Sequence, residues 1–456
     1  MALKGERRHA PSDVENTVPP TEDQAPAEPR SALFPFVTGF EGTYIFGTGQ
    51  DVLDTTEHAT RYREDFELLV KDGIGAFRAC IPWHHIEREK SSYDWRWTDA
   101  YLACAQTFGL DVIADPLHHT SFPDWLAGGF ADEAFVPHYL AFIEAFARRY
   151  PAVRRYTIIN EPYVTAWFCG SVAIWHPYRE GPQHFVPMLR NVARAICEAT
   201  ERLTRIRPDM EFLHTESCEA HTALDPESEA HAAHGNDMRF SLLDLMLGRV
   251  GRDHPLHGYF TGHGVGEADL AWFAEHPARV DVLGLDYYSH SELAWARDGR
   301  RARHEVRGFA SVALEYAERY RCPVMLGETN LRASIDSRTS WLKYMVEQCE
   351  ELQKRLEPLG LPFRGFCWYP YIDSTDWDSL VREARRNVDP QGIYSLDPSF
   401  ERRPCELSEI YAALAKGEIG SAGIPPRPFD DYALNDRGVR NYLPQMRWEW
   451  AGRRAS

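Results

Sequence analysis

The sequence predicts an α/β protein: a single closed (β/α)8 TIM barrel. Three observations predict it. Strand-like apolar runs alternate with helix-like amphipathic runs eight times in succession, and such alternation calls for a parallel sheet. The 456 residues suit one barrel with insertions. Hydrophobic residues at 44% and aromatics at 12% supply a large core. An open, doubly wound sheet is the structural alternative, and it needs a Gly-rich turn after the first strand. GTGQDV at 47–52 has only two of the three glycines, with Val52 in the third position, and GHGVGE at 262–267 follows no convincing strand. Both read as plain loops.

The units follow in order. FPFVTGF near 35–40 leads into the charged amphipathic stretch 57–72, and GAFRACIPW (75–83) into 96–108. DVIADPLHH (111–119) leads into 134–149, and RRYTIINE (154–161), after a long aromatic loop, into 184–206. MEFLHTE (210–216) precedes 229–250, and VDVLGLDYY (280–288) precedes 308–320. CPVMLGE (322–328) precedes 334–356, and FRGFCWYPY (363–371) precedes 404–415. The barrel domain therefore runs over 33–416. Residues 1–32 are rich in Pro, Glu, Ala and Ser and read as a disordered tail. Residues 417–456 lack helical periodicity, carry IPPRP and several aromatics, and read as an irregular arm packed on the barrel.

A net charge of −18 argues against a nucleic-acid surface and an anionic membrane surface, and says nothing about a neutral substrate. There is no apolar run of about 18 residues, and the positively charged N-terminal segment has no apolar stretch behind it, so neither a spanning helix nor a secretory signal is read. Nine scattered cysteines without a C-x-x-C pair suggest reduced thiols in the cytoplasm. His118-His119 and the His-rich run 221–234 lack metal spacing and read as surface or loop histidines. No cofactor is implied, and oligomeric state is not readable.

The chemistry gathers at strand ends. Polar or charged residues recur there: Glu41, Arg78, His118 and His119, Asn160 and Glu161, Glu216, Asp286 and Tyr288, Glu328, Trp368 and Asp373. One such residue alone would be a solvated rim group; several converging on one face form the default site of a barrel. Glu161 closes strand four, where Pro162 turns the chain out of the sheet, and Glu328 closes strand seven. Strands four and seven lie roughly across the barrel from each other, so the two acids can face one pocket. Glycoside hydrolysis needs such a pair, one acid to protonate the leaving oxygen and one to attack the anomeric carbon or activate water. Arg78 is placed to hold one carboxylate ionised.

With NEP at strand four and an acid closing strand seven, the chain resembles the retaining glycosidases of glycoside hydrolase family 1 over about 35–400. RYREDFELLVKDGIGAFRACIPW is similar to the family's RYKEDI…LMKELGVKAYRFSISW, and ADPLHHTSFPDWL to its VTLYHWDLPQAL. IINEPY is similar to TLNEP, GLDYYS to GINYYS, CPVMLGETN to PIYITENG, and GFCWYPYIDSTDW to GYFVWSLLDNFEW. The resemblance implies Glu328 as nucleophile and Glu161 as acid/base, supported by Arg78, Asn160 and Tyr288. It implies sugar-binding roles for His119, Asp286, Trp368, Asp376 and Trp377, and a small-molecule glycoside as substrate.

The pattern departs at several positions. The family's YQIEG is GFEGTYIFG here, which leaves Glu41 as the candidate replacement for the sugar-gripping glutamine. Thr120, Asp286, Thr329 and Asp376 stand where the family has Trp, Asn, Asn and Glu. The catalytic skeleton is better kept than the sugar-reading shell. Two functions follow: a retaining β-glycosidase acting on a small or natural-product glycoside, or a non-hydrolytic barrel that binds carbohydrate or acts in sugar-modifying metabolism. An oxidoreductase on nucleotide-linked sugars is a distant third, since no dinucleotide fingerprint is intact. The rings of Trp167, Phe168, Trp175 and Tyr178 line the aglycone site of a glycosidase or simply form a packed lid.

Overall fold

The computed structural model describes residues 34–429, which form a single-domain (β/α)8 barrel. The expected tail at 1–32 and the arm from 430 onward lie outside the described residues. Eight parallel strands close the ring in chain order: β1 (Phe36–Gly39), β2 (Ala76–Cys80), β3 (Asp111–Asp115), β4 (Arg155–Tyr156), β5 (Glu211–Ser217), β6 (Val282–Asp286), β7 (Val324–Glu328) and β8 (Phe363–Trp368). β1 pairs with both β2 and β8, so the sheet has no edge. The helices are α1 (His58–Lys71), α2 (Arg96–Thr107), α3 (Phe135–Arg149), α4 (Pro182–Ile206), α5 (Glu229–Met238), α6 (Phe309–Tyr320), α7 (Ile335–Leu356) and α8 (Glu406–Ala415).

Alternation along the strands builds two cores. Inside the ring, Val37, Ile113, Leu213 and Met325 from the four odd-numbered strands pack with Val282, Cys367 and Tyr369, the layered filling expected of such a barrel. Outside, residues such as Phe77, Leu326, Phe366 and Trp368 meet the apolar faces of the helices. α4 shows how a helix supplies that face: Phe185, Met188, Leu189, Val192, Ile196, Ala199 and Leu203 recur three or four residues apart and are buried.

The strands need not be regular to carry the site. β4 is regular for only two residues, but the chain continues along β3: Thr157 N–H donates to Ala114 O at 2.8 Å and Asn160 N–H to Leu117 O at 3.0 Å. In β7 the register slips. Leu326 pairs with Leu285 and Glu328 with Asp286, so two steps on β7 oppose one on β6. Gly327 is the extra residue of this bulge. Strict alternation from inward Met325 and outward Leu326 would turn Glu328 outward; the bulge brings it to the mouth. A Cβ on Gly327 would lie 2.3 Å from Asp286 Oδ1, so only glycine fits beside that acid.

Several elements fall outside the eightfold pattern read from the sequence. The aromatic loop after β4 begins with a helix, Pro162–Gly170. The stretch 229–250 is broken at Arg239-Phe240 into α5 and a short helix, Ser241–Met246. Ala220–Ala223 and Glu292–Trp295 pair as a separate two-stranded parallel sheet. The described start of the C-terminal arm lies against α7: Ser421 N–H and Oγ donate to Glu350 at 3.1 and 2.7 Å. Among the described residues no helix is long and apolar enough to cross a membrane.

One buried ion cluster ties α1 to the segment before α8. Asp65, fully buried, accepts from Arg402 Nε at 2.7 Å and Nη2 at 3.0 Å and lies 2.7 Å from His58 Nδ1. Asp65→Asn leaves the Arg402 charge without its counter-ion, and is expected to lower unfolding stability by about 3–5 kcal/mol, measured by denaturant unfolding.

Candidate active site

The C-terminal mouth of the barrel opens into a cavity of about 680 Å3 whose wall includes Glu41, His119, Glu161, Asp286, Tyr288, Glu328 and Trp377. Both strand-end glutamates therefore reach one space. A second hollow of about 430 Å3 sits at the opposite end, among the strand starts Phe36, Ala76, Asp111 and Glu211. It brings together no comparable set of groups.

Glu328 is held from two sides. Tyr288 Oη donates to its Oε2 at 2.8 Å, and Arg78 Nη1 donates to its Oε1. Arg78 is fully buried, and its Nη2 also donates to Asp115 Oδ2 at 3.0 Å and to Asn160 Oδ1. The chain of charges continues. His118 Nδ1 lies 2.8 Å from Asp115, and its Nε2 lies 3.1 Å from Glu41 Oε1. Burial works against a charged His118, but the Cys80 sulfur, Asp115 and Glu41 outweigh it and raise its pKa well above the usual imidazole value. Burial raises Glu41 in turn, and His118 more than offsets this, leaving Glu41 at about 2. A cation thus stands beside each acid of this network.

Glu161 is set differently. It occupies a left-handed backbone conformation, φ 39° and ψ 55°, at the start of helix Pro162–Gly170. A non-glycine residue there stores strain of order 1–3 kcal/mol, and such strain clusters at functional positions. Its carboxyl makes no capping bond to the helix. Among the described residues no arginine pairs with it, and its ion contact, His119 Nε2, is 4.0 Å away. Burial raises its pKa well above the carboxylate range, and the charges of Glu328 and Glu216 add to the effect. His119 cannot counter this, because burial and the charge of His118 keep its imidazole neutral. Two glutamates on one cavity thus stand in unequal settings: Glu328 is bonded to Arg78 and Tyr288, and the protonated form of Glu161 is favoured.

Glu216, at the end of β5, explains how Glu161 is held. Its Oε2 accepts from Tyr163 N–H at 2.9 Å and its Oε1 from Ser217 N–H at 3.0 Å. It thereby caps the helix that Glu161 begins. Burial pushes Glu216 up to about 8, although those N–H groups pull the other way. Above that pH its charge opposes ionisation of Glu161. Glu216→Gln removes the charge, lowers the Glu161 pKa and shifts the alkaline limb of the kcat/KM profile to lower pH. A pH–rate profile on any turned-over substrate checks this.

The other predicted residues divide. His119, Asp286, Tyr288, Trp377 and Glu41 stand on the cavity wall with the two glutamates. The indole N–H of Trp377, the Asn160 amide nitrogen and both Asp286 carboxyl oxygens are buried without a hydrogen-bond partner among the described residues. Buried polar atoms left open in this way beside a cavity are what a polar ligand would satisfy. Trp368 and Asp376 do not reach the cavity, which corrects their expected sugar-binding roles. Trp368 points outward from β8 and donates from Nε1 to Gln391 O at 2.9 Å, because alternation sends Cys367 and Tyr369 inward instead. The Asp376 carboxylate is taken up by Gln50 Nε2 and the backbone N–H groups of Arg385, Arg386 and Asn387.

The departures from the family pattern have local causes. A Cβ on Gly39 would lie 2.4 Å from Tyr369 Cε2, so the end of β1 has no room for a long side chain. Thr120 Oγ1 donates to Tyr44 O at 2.6 Å and Thr329 Oγ1 to Tyr287 O at 2.7 Å; both hold backbone rather than facing the cavity. Two groups of potential metal ligands come together among the described residues, Cys80–Asp115–His118 and Asp51–His84–His85. Neither lines the cavity, and the Asp115 carboxylate is already matched by Arg78 and His118.

Comparison with known proteins points the same way. A family model described as beta-galactosidase, of glycoside hydrolase family 42, matches residues 55–160, the stretch from α1 through Arg78, Asp115 and Asn160. The curated beta-glucosidase 42 of Arabidopsis thaliana is 25% identical over 172 residues, which is 36% of this chain and 34% of that relative's length. The beta-glucosidase of Thermotoga maritima in complex with azafagomine aligns with a TM-score of 0.71 at 17% identity, over 86% of this chain and 98% of that one. Its complex with noeuromycin gives 0.71 at 18%, with the same coverage. At that identity the structural likeness is one of fold. Taken together, the likenesses are to glycoside-hydrolysing barrels.

Proposed function

We propose that the protein is a retaining β-glycosidase, a divergent relative of glycoside hydrolase family 1, with Glu328 as nucleophile and Glu161 as acid/base. The observation that carries this is the unequal setting of two glutamates on one cavity: Glu328 is bonded to Arg78 and Tyr288, while the ion contact of Glu161, His119 Nε2, is 4.0 Å away. The ionised Glu328 attacks the anomeric carbon as the bond to the leaving oxygen breaks, and Glu161 gives its proton to that oxygen. Forming the glycosyl ester removes the negative charge of Glu328, which lowers the pKa of Glu161. Glu161 then takes a proton from water, the hydroxide oxygen bonds to the anomeric carbon, and the Glu328 carboxylate is released.

Arg78 and Tyr288 orient the nucleophile, and Asn160, with its free amide donor, reads the sugar 2-hydroxyl. His119, Glu41 and Trp377 bind the remaining hydroxyls and the sugar face. Asp286 is raised well above its usual range by burial first, then by Glu328 and Glu161. As a neutral carboxylic acid it is close in shape and hydrogen-bonding capacity to the asparagine of the related pattern. A panel of chromogenic β-glycosides, with NMR of the first-formed anomer, tests the reading: turnover with retention is expected. The alternative, a carbohydrate-binding barrel without hydrolysis, is favoured by the closed space at Gly39 and the occupied carboxylate of Asp376. Binding without turnover across the panel would select it.

A further inference from the structure

The cavity extends well beyond the two glutamates. Its outer arm is walled by helix Pro162–Gly170 on one side, and by α5 and the two-stranded sheet of Ala220–Ala223 with Glu292–Trp295 on the other. Helix Pro162–Gly170 and the small sheet fall outside the eightfold pattern, and with α5 they gather ring side chains. Tyr163 and Trp167 come from the helix, Tyr259 from the insertion after α5, and Trp295 from the small sheet. The Trp295 indole is fixed in place: its Nε1 donates to His221 Nδ1 at 2.9 Å, and His231 meets it edge-on at 4.3 Å. His290 lies parallel to the Tyr288 ring at 5.5 Å and carries the ring surface back toward Glu328. The histidines that read as plain loop residues in the sequence thus form part of a wall.

Chemistry separates the occupants of such a space. A second sugar is gripped by convergent carboxylates and amides, and among the described residues the outer arm offers one carboxylate, Glu219, and one guanidinium, Arg301, which lies over the Trp295 ring at 5.6 Å. An alkyl chain needs aliphatic walls, and here the aliphatic surface is limited to residues such as Val164, Met238 and Leu293. Ring faces with imidazole nitrogens among them suit a flat aromatic group carrying hydroxyls. A cavity of about 680 Å3 has room for a sugar and several fused or linked rings.

Resting on the glycosidase reading above, we propose that the substrate is the β-glycoside of a flat, multi-ring, hydroxylated aromatic aglycone, seated against Trp295 and the imidazoles around it. The test uses a free hydroxyflavone without sugar, titrated into the full chain by calorimetry, so that it depends on neither hydrolysis nor the identity of the sugar. Saturable binding is expected, weakened about tenfold or more by Trp295→Ala, a loss typical of an aromatic anchor. His231→Leu, at an exposed position where folding is not at stake, is expected to weaken it severalfold. Cellobiose and octyl β-glucoside are expected to bind more weakly than the flavone. Absence of saturable flavone binding, equal affinity in the wild type and both variants, or tighter binding of cellobiose or octyl glucoside would each overturn the proposal. Failure of the glycosidase reading has a different signature: flavone binding that depends on Trp295, with no glycoside turned over.

Discussion

Replacing Glu328 by Gln should lower kcat by about 10⁴-fold or more, roughly 5–6 kcal/mol of barrier, with KM little changed. The substitution keeps the shape of the side chain and an oxygen for Arg78 and Tyr288 to bond, so the protein should fold. What is lost is the anionic oxygen that forms the glycosyl ester. The charge balance shifts as well. Arg78 would face Asp115 alone among the acids it now bonds, and Glu161 would lose the largest charge that raises it. Steady-state rates on the best chromogenic substrate, together with a melting curve that matches the wild type, check this. A loss of only a few-fold would place the nucleophile elsewhere.

Glu161→Gln should show a loss that depends on the leaving group. General acid catalysis contributes about 10²–10⁴-fold, and that contribution matters most when the departing oxygen is basic. With an alkyl or weakly acidic phenol leaving group, the first step should slow by that factor. With a dinitrophenolate, which leaves without a proton, the first step should stay near wild type. Hydrolysis of the ester then slows, since no base activates the water, and a burst of phenolate followed by slow turnover results. Stopped-flow measurement with both substrate types checks this. Equal losses on both would count against Glu161 as the proton donor.

Much of the barrel was legible because its strands are buried on both faces. Runs such as DVIAD (111–115) carry no breaker, and the observed strands begin within two residues of the expected ones, while β2, β3, β4 and β8 end three to five residues sooner. The helix positions were legible through three-to-four spacing, as in α4 and α7. The break of the run 229–250 at Arg239-Phe240 was not, because α5, EAHAAHGNDM, has no clear apolar stripe, nor was the small sheet, whose strands are only four residues long. Of the site, the two glutamates could be placed at strand ends, but their orientation could not. Glu328 faces the cavity through the bulge at Gly327, and a register slip of that kind leaves no trace in alternation. Trp368 misled for the converse reason. Gly365 takes φ 146° and pairing between β7 and β8 shifts there, so Phe366 and Trp368 turn to the helices while Tyr369 turns to the cavity. Glu216 stood among the strand-end acids, but its link to Glu161 runs through the backbone of Tyr163, which sequence spacing does not reveal.

The central claim is that Glu328 bonds covalently to the sugar while Glu161 serves it with protons. The most direct measurement is intact-mass and peptide analysis of the protein after incubation with 2-deoxy-2-fluoro β-glycosides bearing a dinitrophenyl leaving group, across several sugars. The account predicts a mass gain of one fluorosugar per chain, on the peptide containing Glu328, and no gain in Glu328→Gln. A fluorosugar attached at Glu161 or Asp286, or release of the inverted product from the corresponding unfluorinated glycoside without any adduct, would contradict it.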